Sequence, residues 1–189
     1  MPSAVKISNS PEQLALIHAL VDEGWRGSWE YTGNSAVLLN SAEGTLCEYL
    51  SKHKFLDYFQ VVQLALNLGV QVQALAKLGK GLPFLDCSNI IVCSGFVITN
   101  THALRPLEDD QLKIVGAVGT TDTAAPEIDR IDSLPSKIHI SAIYYSIGLL
   151  CLKCLGIDRE MKEIQGSKLF YLLQRCLRDD PKTREFLYI

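Results

Sequence analysis

Leu82-Pro83-Phe84-Leu85-Asp86-Cys87-Ser88-Asn89-Ile90-Ile91-Val92-Cys93-Ser94-Gly95-Phe96-Val97-Ile98-Thr99 is the stretch on which the fold turns. Its second half holds two apolar runs, Ile90 to Cys93 and Phe96 to Thr99, separated by Ser94-Gly95. Apolar runs across a two-residue turn with Gly predict a tight hairpin. Just upstream, Tyr58, Val61, Ala65, Leu68, Val72 and Leu75 fall on one helical face. That spacing predicts a helix from about Asp57 to Leu78, ended by Gly79 and Gly81. A long helix, a loop and a hairpin thus follow one another.

Working outward, Gly44-Thr45-Leu46-Cys47-Glu48-Tyr49-Leu50 opens a short helix. Downstream, residues 100–137 contain Pro106, Pro126, Pro135 and several Thr and Asp, which predicts mostly loop. The one strand candidate there is Leu112 to Val118. Ile138 to Leu155 is nearly all apolar, which predicts a helix in the centre of the core. Terminal helices are expected at Leu169 to Leu177 and Thr183 to Tyr188, separated by Asp179-Asp180-Pro181. At the other end, Ser10-Pro11-Glu12-Gln13 starts a helix with Ser10 as cap. Leu14, Ile17, His18 and Val21 continue it, and Gly24 stops it. Two short strands, Gly27 to Tyr31 and Ser35 to Leu39, are expected around a turn at Gly33-Asn34. The fold class is α+β, mainly α. Residues 1–43 form an N-terminal extension to a main domain at 44–189.

The 189 residues fit one domain with an appendage, and 48% hydrophobic against 21% charged allows a sizeable core. A net charge of −3 with no basic stripe argues against nucleic acid as the main partner. No run reaches the roughly 18 to 20 apolar residues of a membrane span, so none is expected. The N-terminus lacks the hydrophobic region of a signal peptide. Most of the six cysteines sit inside apolar runs, which predicts reduced thiols and a cytoplasmic, reducing location. Cys151-x-x-Cys154 has metal or redox spacing, but it lies mid-helix with no second pair, so core packing is expected. None of the four histidines shares a recognisable nucleophile motif with a cysteine.

Four segments, Gly44 to Leu50, Leu85 to Val92, Ala125-Pro126-Glu127 and Tyr145-Ser146-Ile147-Gly148, occur in an order and spacing that resembles the C-terminal lobe of a protein kinase. The terminal Cys176 to Arg184 run extends the match, which covers about residues 44–189. The resemblance implies a kinase C-lobe-like fold. It places Asn89 at the family's catalytic-loop Asn and Leu82-Pro83-Phe84 at His-Arg-Asp. Phe84 cannot accept a proton from a substrate hydroxyl, and Asp86 is out of register. Asn100-Thr101-His102 stands at the metal-binding Asp-Phe-Gly, and neutral Asn100 is a poor ligand for Mg²⁺. Ile143 replaces the Asp that supports the catalytic loop, which is coherent with loss of the catalytic Asp, since no catalytic geometry then remains to be held. Glu127 and Arg184 match a buried ion pair of the family.

Ala4-Val5-Lys6 resembles the family's Lys-bearing strand, and helix 10–23 resembles the N-lobe helix, with Glu12 or Glu23 as the candidate ion-pair residue. Only five residues precede Lys6, so a reduced N-lobe is expected. Lys137-Ile138-His139-Ile140 before Tyr145 to Gly148 is similar to the kinase non-catalytic C-lobe domain of some actin-nucleating and phosphatase proteins; a truncated pseudokinase fits equally. Either implies no catalytic residue, no metal and no required cofactor. It implies a scaffold that binds a protein partner, such as a kinase or a cytoskeletal regulator. The alternative is a degenerate ATP-binding pseudokinase, with Asn89 and Lys6 as the cofactor-binding residues.

Overall fold

A computed structural model describes residues 3–32, 36–119 and 121–188. The expected turn at Gly33-Asn34 lies outside the described residues. Among the described residues the chain is α+β, with six helices and small antiparallel sheets.

The centre is built by two apolar helices. Helix α3 (Tyr58–Lys77) starts at a capping box, with the Asp57 carboxylate accepting from the Gln60 amide. Its inward face, Val61, Leu64, Ala65, Leu68, Val72 and Leu75, is buried. Helix α5 (Ala142–Leu155) is buried almost all round. The two share one core with the first turn of α2 (Leu46–His53), the hairpin of β5 (Ile90–Val92) and β6 (Phe96–Ile98), and helix α6 (Lys168–Cys176). At Gly148 an added Cβ would meet Leu177 Cδ2 at 2.9 Å, so any larger residue there would force the Leu177 side chain to shift. By length and composition α3 is also apolar enough to cross a membrane, a test that a core helix passes as well. Half of its apolar window is buried in the core.

The N-terminal segment packs on this body. Strand β1 (Ser3–Ser8) precedes helix α1 (Pro11–Asp22), and β2 (Trp29–Tyr31) and β3 (Ala36–Ala42) follow in a sheet of order β1–β3–β2. This adds a third strand to the expected helix and hairpin. Ser10 caps α1 through the Gln13 amide at 3.1 Å. Ile17, Leu20, Val37 and Leu39 form a second core with Ile91, Cys93 and Val97 of the hairpin region. Trp25 Nε1 donates to the Cys93 carbonyl at 3.2 Å, which ties the extension to the hairpin.

Residues 100–139 are more ordered than the prolines suggest. Strand β4 (Lys80–Gly81), β7 (Arg105–Glu108), β8 (Gln111–Ile114) and β9 (Ser136–His139) form a sheet in that order. Ile138 therefore lies in a strand, opposite Leu112, and the buried helix begins four residues later than expected. Ser141 ends β9: its amide donates to His139 Nδ1 at 3.2 Å and its hydroxyl to the Pro181 carbonyl at 2.7 Å. A short helix α4 (Pro126–Asp129) follows the loop after β8. The expected helix at Thr183 to Tyr188 is absent: a 3-10 turn spans Pro181–Thr183 and Arg184 is extended, with φ −74° and ψ 132°.

The cysteines divide in two. Cys93, Cys151, Cys154 and Cys176 are free and buried. Cys47 and Cys87 are joined by a disulfide, which corrects the expectation of six reduced thiols. Packing of α2 on the loop before β5 brings their Cα atoms to 4.9 Å, inside the range a disulfide spans.

Candidate functional site

The loop from Leu82 to Asn89 runs between the end of β4 and the start of β5. Leu82 and Leu85 are buried, so the loop is anchored by apolar contact first. Its backbone is then fixed by hydroxyls. Ser146 Oγ, from the buried α5, accepts from the Leu85 amide at 2.8 Å and donates to the Leu85 carbonyl at 3.0 Å. Thr123 Oγ1, from the loop before α4, donates to the same carbonyl. These bonds hold the loop backbone without an Asp at position 143. Ile143 is buried and apolar, and the support comes from one turn further along the same helix.

Asp86 projects from this loop half-buried. One carboxylate oxygen accepts from the Ser88 amide at 2.9 Å and the other from Thr121 Oγ1 at 3.0 Å. Burial pushes its pKa up, but the Ser88 and Thr121 hydrogen bonds and the Lys153 ammonium outweigh that, and the net shift is downward. Lys153 itself pairs with Asp122 at 2.8 Å, and that hydrogen bond raises its pKa. The Asp86 carboxylate is thus held ionised by the Ser88 amide, the Thr121 hydroxyl and the Lys153 charge. Phe84, two residues earlier, packs against the apolar cluster of Leu112, Ile128 and Tyr145.

The remaining sequence-derived positions scatter. Lys6 lies on the exposed face of β1, opposite Leu38, because Val5 and Ile7 take the inward positions. Among the described residues neither Glu12 nor Glu23 forms an ion pair with it. The polar α1 residue that points inward is Gln13, fully buried, with Nε2 donating to the Ile98 carbonyl at 2.8 Å. Asn89 closes the 3-10 turn Cys87–Asn89, and its carbonyl accepts from the Thr99 amide at 2.9 Å. No hydrogen bond among the described residues links Lys6 to Asn89. Asn100 precedes a 3-10 turn without capping it through its side chain, and His102 is exposed.

Glu127 and Arg184 come together. The Arg184 guanidinium donates to both Glu127 oxygens, one of them at 3.0 Å, and to the Arg178 and Asp179 carbonyls at 2.6 and 2.9 Å. It also lies 4.7 Å from the Tyr145 ring centroid. The Arg184 side chain has no exposed surface, so every donor direction faces protein.

Beside this frame is an apolar groove of about 470 Å³ lined by Ile114, Val118, Ile128, Ile131 and Leu134. Leu134 is 48% exposed and the neighbouring Val115 62%. The charged groups on the groove's lining are Asp129 and Asp132. Thr123 and Thr121 were not singled out from the sequence, and Ser146 was named there only as part of the Tyr145 to Gly148 segment. Their signal was a polar residue inside an apolar helix and a Thr-rich run just before Ala125-Pro126-Glu127. Compared with known protein-family models and with curated proteins, the chain matches none.

Proposed function

We infer that this chain is a non-catalytic, kinase C-lobe-like module that binds and regulates a partner protein. The observation that carries the reading is the held but baseless loop. Ser146 and Thr123 fix the backbone at Leu85. Phe84 sits where the resemblance expects the proton acceptor, and its ring is packed into an apolar cluster. Asp86 is engaged by Ser88 and Thr121 rather than free. A scaffold kept rigid without a base at the expected place serves binding better than phosphoryl transfer, which needs placement within about an ångström. The order of helix, long helix, loop, hairpin, Ala-Pro-Glu turn and buried helix agrees with the same reading.

The groove beside β8 is the binding surface in this reading. Its aliphatic lining suits an apolar anchor, and Asp129 and Asp132 at its rim suit a neighbouring Lys or Arg. The partner is a protein segment with that pairing. Selection from a random peptide display library tests it. Bound sequences should pair an aliphatic or aromatic anchor with a basic residue. Leu134→Asp should abolish their binding without changing the melting midpoint, since Leu134 is half-exposed. Peptides held equally well by the variant would contradict the assignment.

A further inference from the structure

The Sγ atoms of Cys47 and Cys87 and a carboxylate oxygen of Asp86 all lie within 4.8 Å of one another. They come from two elements, since Cys47 is in the first turn of α2 and Asp86 and Cys87 are consecutive in the loop. Those elements are clamped together independently of the disulfide. Glu43 N donates to the Val92 carbonyl at 2.8 Å, and Val92 N donates to the Gly44 carbonyl at 3.0 Å. Thr45 bridges Ile91. A capping box of Thr45 and Glu48 then fixes the start of α2. When the disulfide opens, its two sulfurs therefore stay neighbours.

Two thiolates and a carboxylate are the donor set of a borderline-soft divalent cation such as zinc. Cys47 and Asp86 are only partly buried, which leaves a way in and a fourth position for water. Asp86 keeps a lone pair free on each oxygen beside its bonds to Ser88 and Thr121. We propose that Cys47, Cys87 and Asp86 form a redox-gated zinc site, open to the ion when reduced and closed by the Cys47–Cys87 disulfide. Opening requires an external dithiol. It attacks the disulfide, leaves as a disulfide itself, and gives two thiols on the chain. Zinc then displaces both thiol protons to solvent. In reverse, an external disulfide takes two electrons from the two thiolates, the Cys47–Cys87 bond re-forms, and the ion leaves. The other four thiols are buried, so in the folded chain they do not compete for the ion.

Cobalt(II) is the probe. Protein reduced with a dithiol and freed of it under inert gas should bind one Co²⁺ with a thiolate-to-cobalt charge-transfer band, and Zn²⁺ should erase the band. The oxidised protein should give none. Cys47→Ser should remove the band, and Asp86→Asn, which removes a ligand's charge, should weaken binding by at least the roughly tenfold that loss of an outer-shell partner costs. In wild-type protein, where no variant can misfold, zinc should protect Cys47 and Cys87 from iodoacetamide in a peptide map. Absence of the band in reduced wild-type protein, its survival in Cys47→Ser, an unchanged affinity in Asp86→Asn, or alkylation unaffected by zinc would each overturn the proposal. None of these readouts depends on a partner or on phosphoryl transfer.

Discussion

Ser146 Oγ holds both polar groups of Leu85, accepting from its amide at 2.8 Å and donating to its carbonyl at 3.0 Å. One hydroxyl from the buried helix thereby replaces the water that an irregular loop would otherwise need. Ser146→Ala leaves the buried Leu85 amide without that partner, at a cost of about 1–3 kcal/mol. Chemical denaturation should register that loss, and hydrogen exchange at the Leu85 amide should quicken. Unchanged stability and exchange would mean the loop is held by apolar packing alone.

The Glu127–Arg184 fork ties α4 to the C-terminal segment across the Tyr145 ring. Removing one partner strands a buried charge, so Arg184→Met or Glu127→Gln alone should cost about 3–5 kcal/mol. Arg184 is the more buried partner and should be the more sensitive to loss of its mate. The double variant should be less destabilised than the sum of the singles. A double-mutant cycle by denaturant unfolding checks this; strict additivity would contradict the coupling.

Gln71 reaches from α3 to the hairpin. Its amide nitrogen donates to the Phe96 carbonyl at 2.8 Å, and its oxygen accepts from the Ile98 amide at 2.9 Å. They satisfy two groups on the edge of β6 that β5 does not pair; Asn67 takes the Phe96 amide and Gln13 the Ile98 carbonyl. Gln71→Leu keeps the volume and leaves both groups unpaired, which should cost at least about 2 kcal/mol. Calorimetric melting of the variant checks it, and a wild-type midpoint would contradict it.

Burial pushes the Cys93, Cys154 and Cys176 thiols up to about 12. The unfolded chain loses those protons near the ordinary thiol value of about 8.5. The folded state binds more protons above that value, so its stability is intact at lower pH and falls as pH rises toward about 12. Raised Tyr144 and Tyr188 act in the same direction. The melting midpoint should therefore drop between about pH 8 and about pH 10.5. A midpoint that holds or rises over that interval would contradict the buried-thiol account.

Helices α1 and α3 were legible because their apolar residues recur with helical spacing and their caps are local: Ser10, Asp57 and Gly24 mark ends by their own chemistry. The four-stranded sheet was not, apart from β8, which the strand candidate at Leu112 to Val118 overlaps. Its strands are two to four residues long, and β7 carries Pro106, so no alternating run is long enough to read. Gln13, Gln71 and Ser146 looked like polar breaks in apolar faces, and only tertiary contact shows that each satisfies another segment's backbone. The Cys47–Cys87 bond joins residues 40 apart in sequence, a separation no local pattern encodes. Asp86 was seen in the sequence, but its engagement by Thr121 was not.

The central claim, a kinase-like frame without phosphoryl transfer, is tested most directly by incubating the protein with radiolabelled ATP and Mg²⁺. Transfer to the protein itself and to a general protein substrate is measured, with Asp86→Asn alongside. The account predicts label no greater than in a heat-denatured control for both proteins. Transfer by the wild type that Asp86→Asn abolishes would contradict it, because Asp86 would then be acting as a base despite its bonds to Ser88 and Thr121.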